Sequence, residues 1–315
     1  MKERLPVFAL TKDEIAIARA VSDQRELSIN QLAKKLNSSE GWASRVVKKL
    51  EDKGIVETKR EGMRKVVAVA QANYAQSLAE LVRSEPYVPW EKLLSYSNSL
   101  VLLANATGET DFEAGLSATT KWRALRNLSI HGLVPKSGGD VAPRIRRFAT
   151  EYADHISQKF GREILPREAI VLWRKGFSYL FKIRKPGVEL RRFKQTAISV
   201  YSEYGIQLVT NDIYYYYSPE RARLSLEEVI LHTLLIDPER QTYETYALLL
   251  IFKEYRRIDF GALKKRSDRY NLRRRVEDII RYIHTRGEER EWPLPKWHEL
   301  EEQARMYRIA MSSAE

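Results

Sequence analysis

The sequence predicts a mainly α-helical chain with small β elements, an α+β fold in which two similar helical heads precede a mixed region that ends in helices. Three observations carry this. SEGWASRVVKKLEDKGIV at 39–56 and SATTKWRALRNLSIHGLV at 117–134 fall into step without a gap, at an offset of 78 residues. Helical spacing precedes the first copy and β character follows it. Beyond residue 142, two hairpin-like stretches give way to apolar residues at three- and four-residue spacing.

Taken in order, residues 11–21 place Ile15, Ala18 and Val21 on one face, and residues 29–36 place Ile29, Leu32, Ala33 and Leu36 inward. Ser39 and Ser117 have N-cap chemistry and each opens a helix. The first is cored by Ala43, Val46, Val47 and Leu50, the second by Ala124, Leu125 and Leu128. Gly54 and Gly132 suit the left-handed position that closes a helix, and Ile55-Val56 and Leu133-Val134 are each expected to begin a strand. Residues 56–69 read as two short strands with a turn at Glu61-Gly62 and a basic tip of Lys59, Arg60, Arg64 and Lys65.

The run INQLAKKLNSSEGWASRVVKKLEDKGIV with the basic hairpin after it resembles the winged helix-turn-helix regulators of the MarR type, over about residues 8–72. A looser second copy spans about 90–145, with a first helix expected over 90–105 and TDFEAG in place of the usual second helix. Lys121 stands there where the pattern asks for a core residue. The resemblance implies tandem winged helix-turn-helix domains whose third helices enter the major groove while the wing touches phosphate. Carried over by position, Glu40, Gly41, Trp42, Ser44, Arg45 and Lys48 face DNA in copy one, with Trp42 open to a core reading as well. Ala118, Thr119, Thr120, Trp122, Arg123 and Arg126 do so in copy two. Arg45 and Arg123 are the strongest candidates, because a guanidinium pairs bidentately with guanine or phosphate. The plain alternative is a solvated helix face or a protein-docking module.

In the second half, Ile145, Phe148, Tyr152, Ile156 and Phe160 form a helical stripe that starts with Arg144, Arg146 and Arg147. Residues 169–173 and 177–183 around Lys175-Gly176 predict a hairpin, residues 193–204 a helix, and 206–209 with 213–217 around Asn211-Asp212 a second hairpin. Tyr214–Tyr217 suits base stacking or a nucleophile in principle, but β-propensity accounts for it. Ser225-Leu-Glu-Glu228 is a capping box opening SLEEVILHTLLI. Further helices are marked by Tyr243, Tyr246, Ala247 and Leu250, by Leu272, Val276, Ile279, Ile280 and Ile283 up to Gly287, and by Trp297, Leu300, Ala304 and Tyr307. Residues 255–275 set many cations against only Asp259 and Asp268 within the stretch, a belt fit for phosphate, for an acidic protein or for solvent. The order of elements and the stretch EEVILHTLL are similar to AbiEi-type antitoxins and related archaeal regulators, which pair a DNA-binding head with a domain that counters a toxin.

The expected domains are 1–85, a first winged helix-turn-helix; 86–143, a diverged second; and 144–315, an α+β effector or partner domain. Lys and Arg number 54 against 42 Asp and Glu, a net charge of +12, and the pI is near 9.6. That balance points to an anionic partner, double-stranded DNA first. The absence of cysteine excludes disulfides, thiol catalysis and thiolate zinc sites. With no apolar run of membrane length, the expected location is cytoplasmic. His131, His155, His232, His284 and His298 lack metal-ligand spacing, and Gly176-Phe-Ser178 lacks acidic partners, so no metal, cofactor or enzymatic activity is expected.

The expected function is a sequence-specific DNA-binding regulator, a repressor or autoregulating antitoxin. It would read two half-sites about one helical turn, roughly 34 Å, apart as a monomeric pseudo-dimer or a homodimer. A replication initiator of a mobile element and a docking module for an acidic partner such as a toxin are the alternatives.

Overall fold

The computed structural model describes residues 7, 9–24, 26–62, 64–135, 140–184, 190–219 and 223–311, and it divides into two compact units, Met1–Ile164 and Leu165–Glu315. The α+β class predicted from sequence holds.

The first unit begins with α1 (Lys12–Gln24), β1 (Glu26–Ser28), α2 (Ile29–Lys35) and α3 (Glu40–Asp52). The hairpin β2 (Val56–Glu61) and β3 (Arg64–Val69) follows. Ser28 and Gln31 form a reciprocal capping box at α2, and the Ser39 hydroxyl accepts the Trp42 amide at 3.2 Å to cap α3. β3 pairs antiparallel with both β2 and β1, giving a three-stranded sheet of order β1-β3-β2. Ile15, Leu32, Ala33, Ala43, Val47, Leu50 and Val67 are all buried, so the expected faces of the three helices meet in one core.

Next come α4 (Asn73–Ser84), α5 (Trp90–Leu93), α6 (Tyr96–Thr107), a 3-10 turn at Thr110–Glu113, α7 (Ala118–Ile130) and α8 (Pro143–Ile164). The single helix expected over 90–105 is broken, because Ser95 adopts an extended conformation that starts α6 afresh. α4 has no counterpart in the sequence reading. It buries Tyr74, Ala75, Leu78, Leu81 and Val82 against α1 and α8. α8, expected to open the C-terminal domain, packs against α4 and α6 through Phe148, Tyr152, Ile156 and Phe160 and so belongs to the first unit. The boundary at 143/144 therefore falls inside that unit, and the two expected heads share it. Residues 136–139 of the expected linker lie outside the described residues.

The helical part of the repeat is reproduced closely. α3 and α7 both have 13 residues, a serine cap, and a glycine at φ +68° (Gly54) or +71° (Gly132). In both, the amide after the glycine reaches back to the last buried leucine: Ile55 to the Leu50 carbonyl at 2.9 Å, Leu133 to the Leu128 carbonyl at 3.0 Å. The copies part after that glycine. Leu133 and Val134 are buried, as Ile55 and Val56 are, but among the described residues no strand follows them and no wing is formed there. Lys121 lies half-exposed, 3.3 Å from Glu113, and leaves the core of α7 to Ala124 and Leu128.

The second unit holds β4 (Ile170–Lys175), β5 (Ser178–Arg184), β6 (Lys194–Gln195) and β7 (Asp212–Tyr217) in an antiparallel sheet of order β4-β5-β7-β6. The first hairpin is where the sequence places it. The second does not form: β7 hydrogen-bonds along its length to β5, Tyr179 opposite Tyr217 through Arg184 opposite Asp212, which leaves residues 206–209 without a strand partner. The helix expected over 193–204 is β6 followed by a 3-10 segment, Ala197–Tyr204, entered through Ala197 at φ +51°. Tyr214, Tyr215 and Tyr216 are consecutive and all buried, so both faces of β7 are covered; His232 packs against Tyr216 on one face, and on the other Tyr215 stacks beside its cross-strand partner Phe181.

Five helices complete the unit: α9 (Leu226–Leu234), capped by Ser225 and Glu228, α10 (Gln241–Lys253), α11 (Phe260–Ser267), α12 (Arg273–His284) and α13 (Trp297–Met306). α10 is buried on every side from Ala247 to Phe252, which makes it the axis of the core. His232 on α9 is fully buried between the Thr196 hydroxyl at 2.8 Å and the Tyr270 hydroxyl at 3.0 Å, and burial, then Arg269, pushes it down to about 3.

The basic stretch 255–275 is largely neutralised within this unit. Arg257 meets Glu254 at 2.6 Å, Lys264 meets Glu277 at 2.7 Å, Arg266 meets Glu228 at 3.1 Å, and Arg275 pairs with the buried Glu244. The acids come from outside or beside the stretch. A continuous phosphate-tracking belt is not what these cations build. No described helix is long and apolar enough to cross a membrane.

Candidate nucleic-acid interface

The apolar residues of α3 leave a polar face that is open along its length. Gly41, Ser44, Arg45, Lys48 and Lys49 are exposed opposite Ala43, Val46, Val47 and Leu50. Arg45, Lys48 and Lys49 make no ion pair among the described residues, and a Cβ at Gly41 would meet nothing within 4 Å. The face is thus a stripe of uncommitted cations with a bare backbone at its N-terminal end. Lys49 belongs to this stripe and is absent from the residues carried over by resemblance. Its place one step from Lys48 and four from Arg45 was the available signal.

Two predicted contact residues are held otherwise. Glu40 is exposed, but its carboxylate accepts the Asn30 side-chain amide from α2. Trp42 is half-buried and its indole N–H donates to Asp13 at 3.3 Å, so it braces α3 against the first turn of α1 rather than standing free.

The wing carries Arg60 and Arg64, exposed and in no ion pair among the described residues, on strands paired up to Glu61 opposite Arg64. Lys59 lies 3.7 Å from Glu57. Lys65 lies 3.8 Å from Glu51, whose other oxygen accepts the Thr58 hydroxyl at 2.6 Å. Glu51 stands in the last turn of α3, so a single carboxylate ties both wing strands to the helix. Sequence spacing gave no signal for this tether, because its three residues come together only through the hairpin.

The far end of α3 is clamped as well. Glu14, buried in α1, takes Lys53 at 2.6 Å, and the Tyr74 hydroxyl on α4 donates between the carbonyls of Lys53 and Gly54, at 2.9 and 3.0 Å. Tyr74 stacks on His155 of α8 with ring centroids 4.2 Å apart. The His155 imidazole is held below its ordinary value by burial first, then by Lys159 and Arg162.

In α7 the predicted residues divide. Arg123, Arg126, Trp122 and Thr119 are exposed, with Trp122 at 58% and the Arg126 guanidinium 5.4 Å from its ring centre. Thr120 is turned back to its own cap, its hydroxyl 2.8 Å from that of Ser117.

Among the described residues no group of three His, Asp or Glu side chains could hold a metal. No curated protein and no solved structure gives a significant match to this chain. A family model described as HVO_2833_C, C-terminal, matches residues 190–309, within the second unit. The MarR family model matches residues 10–61, from two residues before α1 to the end of β2, and the N-terminal region is therefore a MarR-type winged helix.

Proposed function

We propose that this chain is a sequence-specific double-stranded DNA-binding transcriptional regulator, with α3 in the major groove and the β2–β3 wing on the flanking phosphates. The observation that carries this reading is the uncommitted stripe Arg45, Lys48 and Lys49 on a capped helix that Glu51 tethers to a basic wing. Cations that have no internal carboxylate to leave are ready for phosphate and base edges. A guanidinium on the exposed face of the helix reads guanine bidentately, while the wing arginines add affinity without sequence preference.

α7 presents exposed Arg123 and Arg126 on a helix with the same capping geometry, and we assign it a second contact on the DNA. With no basic wing after it among the described residues, it contributes less affinity than α3. Footprinting of a selected genomic site tests this. The wild type is expected to protect two patches, Arg123→Ala to lose the weaker one, and Arg45→Ala to lose both. A single patch unaffected by Arg123→Ala would overturn the role of α7, and protection unaffected by Arg45→Ala would overturn the role of α3.

A further inference from the structure

A cleft of about 1360 Å³ opens in the second unit at the C-terminal ends of α10, α12 and α13, and no part of the DNA reading uses it. One wall is a continuous arc of rings. Phe260 and Tyr255 have centroids 5.4 Å apart, Tyr255 stacks with Phe252 at 6.5 Å, and Phe252 meets Trp297 edge-on at 5.9 Å. Tyr255, Phe260 and Trp297 are only half-buried and so offer π surface to the cleft.

The remaining wall is cationic. Five basic side chains line the cleft against two carboxylates, and each carboxylate is already engaged: Glu254 by Arg257 at 2.6 Å, Glu301 by the Trp297 indole N–H at 2.9 Å. Lys253, Arg256 and Arg308 are exposed and in no ion pair among the described residues.

The backbone supplies an independent sign. Arg286 and Arg308, which follow α12 and α13, adopt φ +48° and +54°. These are left-handed positions at helix ends where glycine is the unstrained choice and a side chain carries a conformational cost. In both, the costly residue is an arginine lining this cleft. A guanidinium retained at the expense of backbone strain is what a binding site for a phosphorylated ligand calls for.

We propose that this cleft binds a nucleoside phosphate, with the base on the Tyr255–Phe260 rings and the phosphates on Arg256 and Arg308. The volume, above the roughly 300–1,000 Å³ of ordinary small-molecule sites, leaves ample room for a base, a sugar and two phosphates. Base-on-aromatic stacking and charge-assisted guanidinium–phosphate bonds are the two interactions the walls provide. The inference concerns the second unit alone and stands independently of DNA binding by the first.

The test is calorimetric titration of the full chain with ADP, GDP, CDP and UDP, and with adenosine and pyrophosphate as the two halves of one of them. At least one diphosphate should bind saturably at one site per chain, roughly tenfold or more tighter than either half. Arg308→Gly should weaken that binding roughly tenfold while the melting temperature stays level or rises, because glycine relieves the left-handed backbone. A purely structural arginine would give no such split. Tyr255→Leu should weaken the nucleotide and leave pyrophosphate unchanged. Absence of saturable binding by all four diphosphates overturns the proposal. So does pyrophosphate binding as tightly as the nucleotides, or Arg308→Gly binding like the wild type. A short single-stranded oligonucleotide that binds where mononucleotides do not would also overturn it and assign the cleft to nucleic-acid strands.

Discussion

Gly54 and Gly132 occupy equivalent places in the repeat, and the structure separates what each substitution to alanine should cost. Both have left-handed φ, so each alanine incurs roughly 1–2 kcal/mol of backbone strain. At Gly132 nothing lies within 4 Å of the added Cβ. At Gly54 that carbon would stand 2.3 Å from the Tyr74 hydroxyl oxygen, which must move and surrender its donation to the Lys53 and Gly54 carbonyls. Losing that bond and shifting a ring that is 3% exposed adds about 1–2 kcal/mol. Gly54→Ala should therefore destabilise the first unit by about 2–4 kcal/mol and Gly132→Ala by about 1–2. Tyr74→Phe supplies the control, since it removes the clashing oxygen and leaves Cζ at 3.7 Å, an ordinary contact. On that background Gly54→Ala should fall back to the Gly132→Ala value, a coupling of about 1–2 kcal/mol. Urea unfolding of the full chain, read by pulsed hydrogen–deuterium exchange on first-unit peptides, measures all four variants. Equal costs at the two glycines, additive with Tyr74→Phe, would refute the clamp on the end of α3.

Two further outcomes concern the second unit. Arg275→Met strips the partner from Glu244, which is 1% exposed and whose carboxyl is raised by burial against the pull of Arg275. It should cost about 3–5 kcal/mol in second-unit stability, and Glu244→Gln added to it should recover part of that loss. His232 is depressed to about 3 in the folded chain, so its neutral form stabilises the fold above the unfolded value near 6.5. Stability should be lost as pH falls from about 6.5 toward 3, at up to about 1.4 kcal/mol per pH unit. Urea midpoints at stepped pH measure this, and His232→Gln should remove that component of the slope.

Local chemistry is what the sequence made legible. Ser39 with Gly54, and Ser117 with Gly132, bound their helices through hydrogen bonds made within a few residues, so cap, core spacing and terminal turn were all readable. The hairpin at Glu61-Gly62 was readable for the same reason. The features that escaped depend on residues far apart in the chain. Leu133-Val134 has the strand-like character of Ile55-Val56 and is as deeply buried, yet among the described residues it joins no strand, because a strand depends on the partner it finds and not on the pair itself. β7 finds β5 rather than its sequence neighbour, and the cations of 255–275 find Glu228, Glu244 and Glu277. α8 was placed in the wrong unit because a helical stripe tells which face is buried and not what buries it. The exposed face of α3 was readable from its buried one, while the bracing of Trp42 by Asp13 was not.

The central claim is that α3 reads base sequence and the wing supplies phosphate contacts. The most direct measurement is a salt titration of binding to a duplex selected from genomic fragments by the purified protein, alongside a scrambled duplex of equal length. Wild type, Arg45→Ala and the wing variant Arg60→Ala/Arg64→Ala should be compared. The account expects Arg45→Ala to lose about 1–3 kcal/mol on the selected site and little on the scrambled one. The wing variant should weaken both alike and reduce the slope of log affinity against log salt by about two. Equal affinity of the wild type for both duplexes, with Arg45→Ala changing neither, would contradict it.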